Sequence, residues 1–233
     1  MIKKLFTASL VAGFGYILYE FLVNFSQKLV LPAVSSHYIN NGPKELGAAN
    51  IVTSVVVSYR GLDTLGEVTV LFAASAVVGL LIKLTNTDND NGRDASELLM
   101  TGARLLFPLI VLFGIYVFIN GHLTPGGGFQ GGAIIASGVM LLVLSKPHRH
   151  ISHALLGFLE SISGVAYVGL GVLGVILAGG FLDNRLLPLG EYNTLLSGGL
   201  IPVIYIIIGL KVGSELSTVV VNMGLKAAER EED

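Results

Sequence analysis

Apolar residues fall in runs long enough to cross a bilayer. Residues 5–25 form the first, and ~20 residues at ~1.5 Å rise span the ~30 Å hydrocarbon core. Residues 63–84 are the second run, 100–119 the third, 131–145 a short fourth, 154–182 a long fifth and 196–221 a sixth. Each predicts a helix, because the bilayer core has no water to satisfy an unpaired backbone. The predicted fold class is an all-α polytopic integral membrane protein with about six transmembrane helices. Lys3 and Lys4 give the first run the look of a signal peptide. The run is too long for one, and Gln27, Lys28 and Leu29 stand where a small-residue cleavage site belongs, so it is read as a retained helix.

Polar residues divide the chain. Residues 83–97 (KLTNTDNDNGRDASE) are its long hydrophilic, turn-rich stretch, and Ser96 is placed to cap the next helix. The predicted organisation is a two-helix block over 1–84, a polar linker over 85–97 and a four-helix block over 98–233. Residues 47–58 are apolar but too short to span alone. Asn50, Ser54 and Ser58 recur every four residues, which gives a helix one polar stripe. Two placements are open: in the interface, or as the first half of a long helix broken at Tyr59, Arg60 and Gly61.

Composition narrows the function. Hydrophobic residues make up 52% and charged residues 13% of the 233, with 30 glycines. No stretch between apolar runs exceeds about forty residues, so a sizeable soluble domain is excluded. A net charge of −2 without a basic stripe excludes nucleic acid as a partner. The cysteine count is zero, which removes disulfides, thiolate metal sites and cysteine nucleophiles. No cofactor is expected in this chain: the histidines offer no mid-helix pair for haem, and 148–153 (HRHISH) reads as an interfacial anchor. With the N-terminus inside, eight basic residues fall on the cytoplasmic side and four on the other. The positive-inside rule then predicts both termini in the cytoplasm and a multi-pass chain in the plasma membrane.

Ionisable groups inside the bilayer cost about 2.5–3.5 kcal/mol each at a helix centre, so they are the first functional candidates. Asp63 and Glu67 are spaced i,i+4 and share a face of the second helix. Like charges so close disfavour joint ionisation, which suits a carboxylate that exchanges a proton or holds a cation. For Asp63 the plainer role is helix capping with Arg60 as its partner; Glu67 lies a turn deeper, where a functional carboxylate is expected. Lys211 and Glu215 form a second i,i+4 pair near mid-depth of the last helix, either a self-neutralised packing pair or a relay for protons or ions. Glu160 is either a snorkelling acid or part of a polar interior path. Gly157, Ser161, Gly164, Gly171 and Ala178 beside it form a small-residue stripe for close helix packing.

The last signal is GHLTPGGGFQGG at 121–132. Read as a turn before a helix of only 15 residues, it leaves that helix about 22 Å long, short of the core. Part of the glycine stretch should therefore reach membrane depth and be buried among other subunits, with Gly126, Gly127 and Gly128 allowing close backbone approach. GHLTPGGGFQGGAIIASG resembles the signature of the MnhB subunit of Mrp-type multisubunit sodium/proton antiporters. The marking residues are His122, Thr124, Pro125, Gly126, Gly127, Gly128, Phe129 and Gln130. Residues 49–72 (ANIVTSVVVSYRGLDTLGEVTVLF) look like the C-terminal end of the large subunit of the same antiporters. That end joined to an MnhB-like block is similar to the Mrp-related membrane-bound hydrogenases and sulfane-sulfur reductases.

The resemblance implies a non-catalytic membrane subunit that helps to translocate Na+ against H+ and to assemble its module. Its partners would be other Mrp-type antiporter-module membrane subunits, hydrogenase-like or sulfane-reductase-like peripheral subunits, and the lipid bilayer. The sodium path proposed for the family carries over to Asp63 and Glu67. Two rivals stand beside this reading: a stand-alone Mrp antiporter subunit, and a bridging subunit that never touches ions.

Overall fold

The computed structural model describes residues 2–23, 31–84, 95–146 and 151–229, with side chains over 4–23, 31–82, 95–146 and 151–223. Among them the elements are helical and no strand occurs. The chain forms two compact units, residues 1–37 and 38–233. The first holds α1 (Ile2–Val23), apolar all round and exposed at every described side chain. A helix without a polar face is what lipid or a neighbouring subunit selects. α2 (Ala33–Leu46) runs into the second unit and was not foreseen, because its sequence is polar and contains Pro43.

The larger unit is a bundle around α8 (Ile201–Glu229). α4 (Gly61–Leu84), α5 (Glu97–Ile119), α6 (Gly128–Ser145) and α7 (His153–Leu177) all pack against it. Over its spanning stretch α8 is 56% buried and α4 only 6%, so α8 is the axis and α4 presents most of its surface outward. Among the described residues six helices are long and apolar enough to cross a membrane: α1, α4, α5, α6, α7 and α8. The chain is an all-α, multi-pass membrane protein. Ser96 and Ser152 cap α5 and α7, each hydroxyl accepting from the backbone N–H three residues on.

Several boundaries move from the sequence reading. α6 starts at Gly128 rather than Gly131 and reaches 18 residues. The fifth helix stops at Leu177, and Gly180 and Leu182 fold back along its last turn at Gly174. α4 of the first sequence block packs on α8 of the second. The expected loop over 83–97 and the histidine anchor at 148–153 lie largely outside the described residues.

Residues 47–60 do not cross the bundle. α3 (Ile51–Thr53) continues as a π-helical stretch, Ser54–Tyr59, and ends at Arg60, where α4 begins. Both ends meet the loop of residues 178–200. A Cβ on Gly47 would lie 3.2 Å from the Leu189 carbonyl, and one on Gly61 3.3 Å from Leu182. The break expected at Tyr59, Arg60 and Gly61 is present, beside the loop of residues 178–200.

Close approach of helices occurs at α6. A Cβ on Gly132 would sit 2.8 Å from the Gly213 nitrogen and 2.9 Å from the Gly209 carbonyl, both on α8. One on Gly131 would meet the Gly114 carbonyl of α5 at 2.6 Å. Glycine at both positions lets α6 wedge between its neighbours. The stripe expected on α7 behaves otherwise: Gly157 faces open space, and Gly171 receives the Phe181 ring.

Candidate functional site

The signature turn is built from the chain itself. Asn50 caps α3 with its side-chain oxygen, and its Nδ2 donates to the Gly121 and Thr124 carbonyls at 2.9 and 3.0 Å. Thr53 Oγ1 donates to Gly121 O at 2.7 Å and accepts from Tyr205 Oη at 2.9 Å. The Asn50 N–H donates to His122 O at 3.0 Å. Four hydrogen bonds thus tie the start of α3 to the turn, each worth about 1 kcal/mol net. Part of this turn is covered from within the chain itself. His122 is fully buried, with Nε2 3.3 Å from Thr194 O and Nδ1 without a partner among the described residues. Burial pushes His122 below the ordinary histidine range. Gly127 and Gly128 lie against Tyr205 and Ile208, where a Cβ on Gly128 would be 2.6 Å from Ile208. Phe129 is half-buried, and Thr124, Pro125 and Gln130 remain exposed.

A second constellation lies between α4, α7 and α8. Lys211 Nζ donates to Glu215 Oε1 at 2.5 Å. Lys211 is 8% exposed and Glu215 fully buried, so water does not shield this pair. Glu215 Oε2 has no hydrogen-bond partner among the described residues. Lys211 Nζ also stands 5.1 Å from the Phe72 ring centroid, a cation–π distance. A cleft of about 440 Å³ opens here. Val68 and Phe72 line it from α4, Glu160, Gly164 and Val168 from α7, and Lys211 from α8. Glu160 is half-buried and lines the same cleft as Lys211.

The first pair of acids is arranged differently. Asp63 is exposed in the first turn of α4 and forms an ion pair with Arg60, whose Nε donates to Oδ2 at 2.5 Å. An exposed pair of this kind contributes at most about 1 kcal/mol. Glu67 is exposed one turn on, and its charge reaches Tyr167 of α7, whose hydroxyl donates to Gly61 O at 3.3 Å. Glu160, Lys211 and Glu215 are thus brought together, while Asp63 and Glu67 remain on the outer side of α4. Among the described residues, no three His, Asp or Glu side chains converge as metal ligands.

Sequence reasoning missed Thr53, Tyr205 and Asn184. Asn184 Nδ2 donates to Leu46 O and its Oδ1 accepts from Leu200 N, at 2.9 and 2.7 Å. Their partners lie from 16 to 152 residues away, so no local pattern could announce them.

An axial helix carrying a buried charge pair inside a bundle of apolar helices defines a polytopic membrane subunit with a polar interior. Residues 98–218 match the domain related to the MnhB subunit of Na+/H+ antiporters, and residues 3–90 match the MbhE family of MBH subunits. The chain belongs to the MnhB-related family. An uncharacterised protein of Methanocaldococcus jannaschii is 32% identical in an alignment that covers 72% of this chain and 74% of that one. The B-type subunit of the Bacillus subtilis Na+/H+ antiporter is 34% identical over 35% of this chain and 54% of its own length. Among solved structures, a chain of the membrane-bound sulfane sulfur reductase, an archaeal respiratory membrane complex, superposes with a TM-score of 0.82 at 42% identity. That match covers 96% of this chain and 98% of the other. A chain of the Mrp complex from Dietzia sp. gives 0.78 at 26% identity, covering 95% of this chain and 26% of the other.

Proposed function

We propose that this chain is a non-catalytic membrane subunit of an Mrp-type Na+/H+ antiporter module built into a respiratory complex. The kind of complex is that of the sulfane-sulfur reductase or the membrane-bound hydrogenase. The observation that carries the reading is the near end-to-end match with the reductase chain, 96% of one and 98% of the other. A stand-alone antiporter divides its chains differently, since the matching Mrp chain is about four times longer than the matched part. The partners are the other membrane subunits of the module and the complex's peripheral subunits, and no prosthetic group is held here. The eight-to-four basic asymmetry supports both termini in the cytoplasm of a cell bounded by that plasma membrane.

In this role the outer face of α4 is the ion-handling surface. Glu67, exposed in the chain, is positioned to complete a path with a neighbouring subunit, and Asp63 is held by Arg60 one turn away. Glu67→Gln keeps size and hydrogen bonding but removes the charge. In the assembled complex it abolishes sodium-dependent proton movement, measured in inverted vesicles with complex abundance followed in parallel. Normal sodium-coupled activity in an assembled Glu67→Gln complex would leave this chain a scaffold.

A further inference from the structure

Two acids and one base meet at the α4–α7–α8 cleft. Glu160 and Glu215 carry two formal negative charges and Lys211 one positive, which leaves one negative charge at bilayer depth. An uncompensated charge there is costly, so the cluster favours one bound proton or one monovalent cation. The geometry selects between the two. A cation needs several converging oxygens, and the nearer carboxylate oxygen, Oε1, is already held by Lys211 Nζ at 2.5 Å. A proton needs a donor and acceptor in contact, which this pair supplies. It also needs a vacant basic atom behind them, and Oε2 of the fully buried Glu215 is one.

We propose that Glu160, Lys211 and Glu215 form a one-proton relay, entered from the cleft between α4 and α7. This deepens the antiporter-module reading and rests on it. Nζ of the Lys211 ammonium gives its proton to the Glu215 carboxylate, which leaves a neutral amine beside a neutral acid. A proton arriving through Glu160 restores the ammonium. One proton has then moved from the cleft to Glu215, and no electron has moved. Phe72 steadies the charged form of Lys211 at 5.1 Å. A Cβ on Gly164 would sit 3.7 Å from Nζ, in ordinary van der Waals contact, which places the ammonium against α7. The other titratable groups near the site are few. On α7 there is Tyr167, already donating to Gly61 O; on α4 there is Glu67, on the outer side. α6 carries no titratable residue, and Arg104 and Tyr116 of α5 are exposed.

A structural ion pair and a relay differ in one testable respect: only the relay requires Lys211 to lose its proton. Arginine keeps the charge and the pairing with Glu215 but does not deprotonate in proteins, and the cleft of about 440 Å³ accommodates it. Glu160 is half-buried, so Glu160→Gln asks the same question without disturbing the buried pair. The assembled complex is reconstituted in liposomes, and sodium-driven proton flux is measured against the sodium concentration. Lys211→Arg and Glu160→Gln are each expected to assemble normally. Each should lower maximal proton flux on the order of a hundredfold, the effect of removing a positioned proton-transfer group, with half-saturating sodium unchanged. Normal flux in an assembled Lys211→Arg complex overturns the relay while leaving the antiporter reading intact. So does a loss that takes the form of weakened sodium affinity, which would make the cluster a cation site. A wild-type complex with no sodium-coupled flux overturns the antiporter reading and the relay with it.

Discussion

His122 is the residue whose burial has the plainest solution consequence. Its imidazole is fully enclosed, one nitrogen faces Thr194 O, and the other has no acceptor to receive a second proton. Burial lowers its folded-state pKa below the ordinary value of 6.5. Below 6.5 the unfolded chain therefore binds more protons than the folded one. The stability His122 contributes is present above that value and fades as pH falls through and below it. Melting of the purified complex, followed from about pH 8 to about pH 5, should show an acid limb that His122→Gln flattens. An unchanged limb in the variant would assign the acid sensitivity to other groups. The signature turn was visible in the sequence as a motif, but its environment was not. Thr194 is 72 residues from His122 and Asn50 is 71 from Gly121, and hydropathy carries no trace of such pairings. Lys211 and Glu215 were legible because their partnership is local, one helical turn apart. Glu160 joins them only through the packing of α7 on α8.

At the scale of the element, membrane spans were readable because length and apolarity are properties of a segment by itself. Faces were not, because a helix that is apolar on all sides gives no sign of which side is buried. The small residues that the sequence offered are used unequally. Gly132 contacts the backbone of α8, whereas Gly157 meets nothing within 4 Å. Gly132→Ala should force α6 away from α8 and destabilise the chain by about 1–3 kcal/mol, the usual cost of overpacking. Gly157→Ala should be neutral, or gain up to about 1 kcal/mol of helix propensity. Detergent melting curves of the two variants measured side by side check this. Equal losses would mean that α7 uses its glycines against another subunit. α2 escaped notice for a different reason: its sequence is polar on average and carries Pro43 inside the helix, so no apolar run marks it.

At the scale of the whole molecule, the two family segments, 3–90 and 98–218, are held together by more than the chain that connects them. α4 packs along α8, and Asn50 and Thr53 grip the turn at Gly121 through buried hydrogen bonds. A peptide connection between two surfaces that already fit adds only effective concentration, on the order of millimolar for a short link. Breaking it should therefore be tolerated. With a protease site placed among residues 85–94, inverted vesicles should be cut and right-side-out vesicles spared if that segment faces the cytoplasm. The two pieces should still migrate as one after extraction in mild detergent; pieces that part on extraction would show that the covalent link carries the assembly. In genetic terms the reading frame is divisible at that point: the same polypeptide can be encoded as one gene or as two, and fusion or fission there changes the number of chains without changing the interface they form.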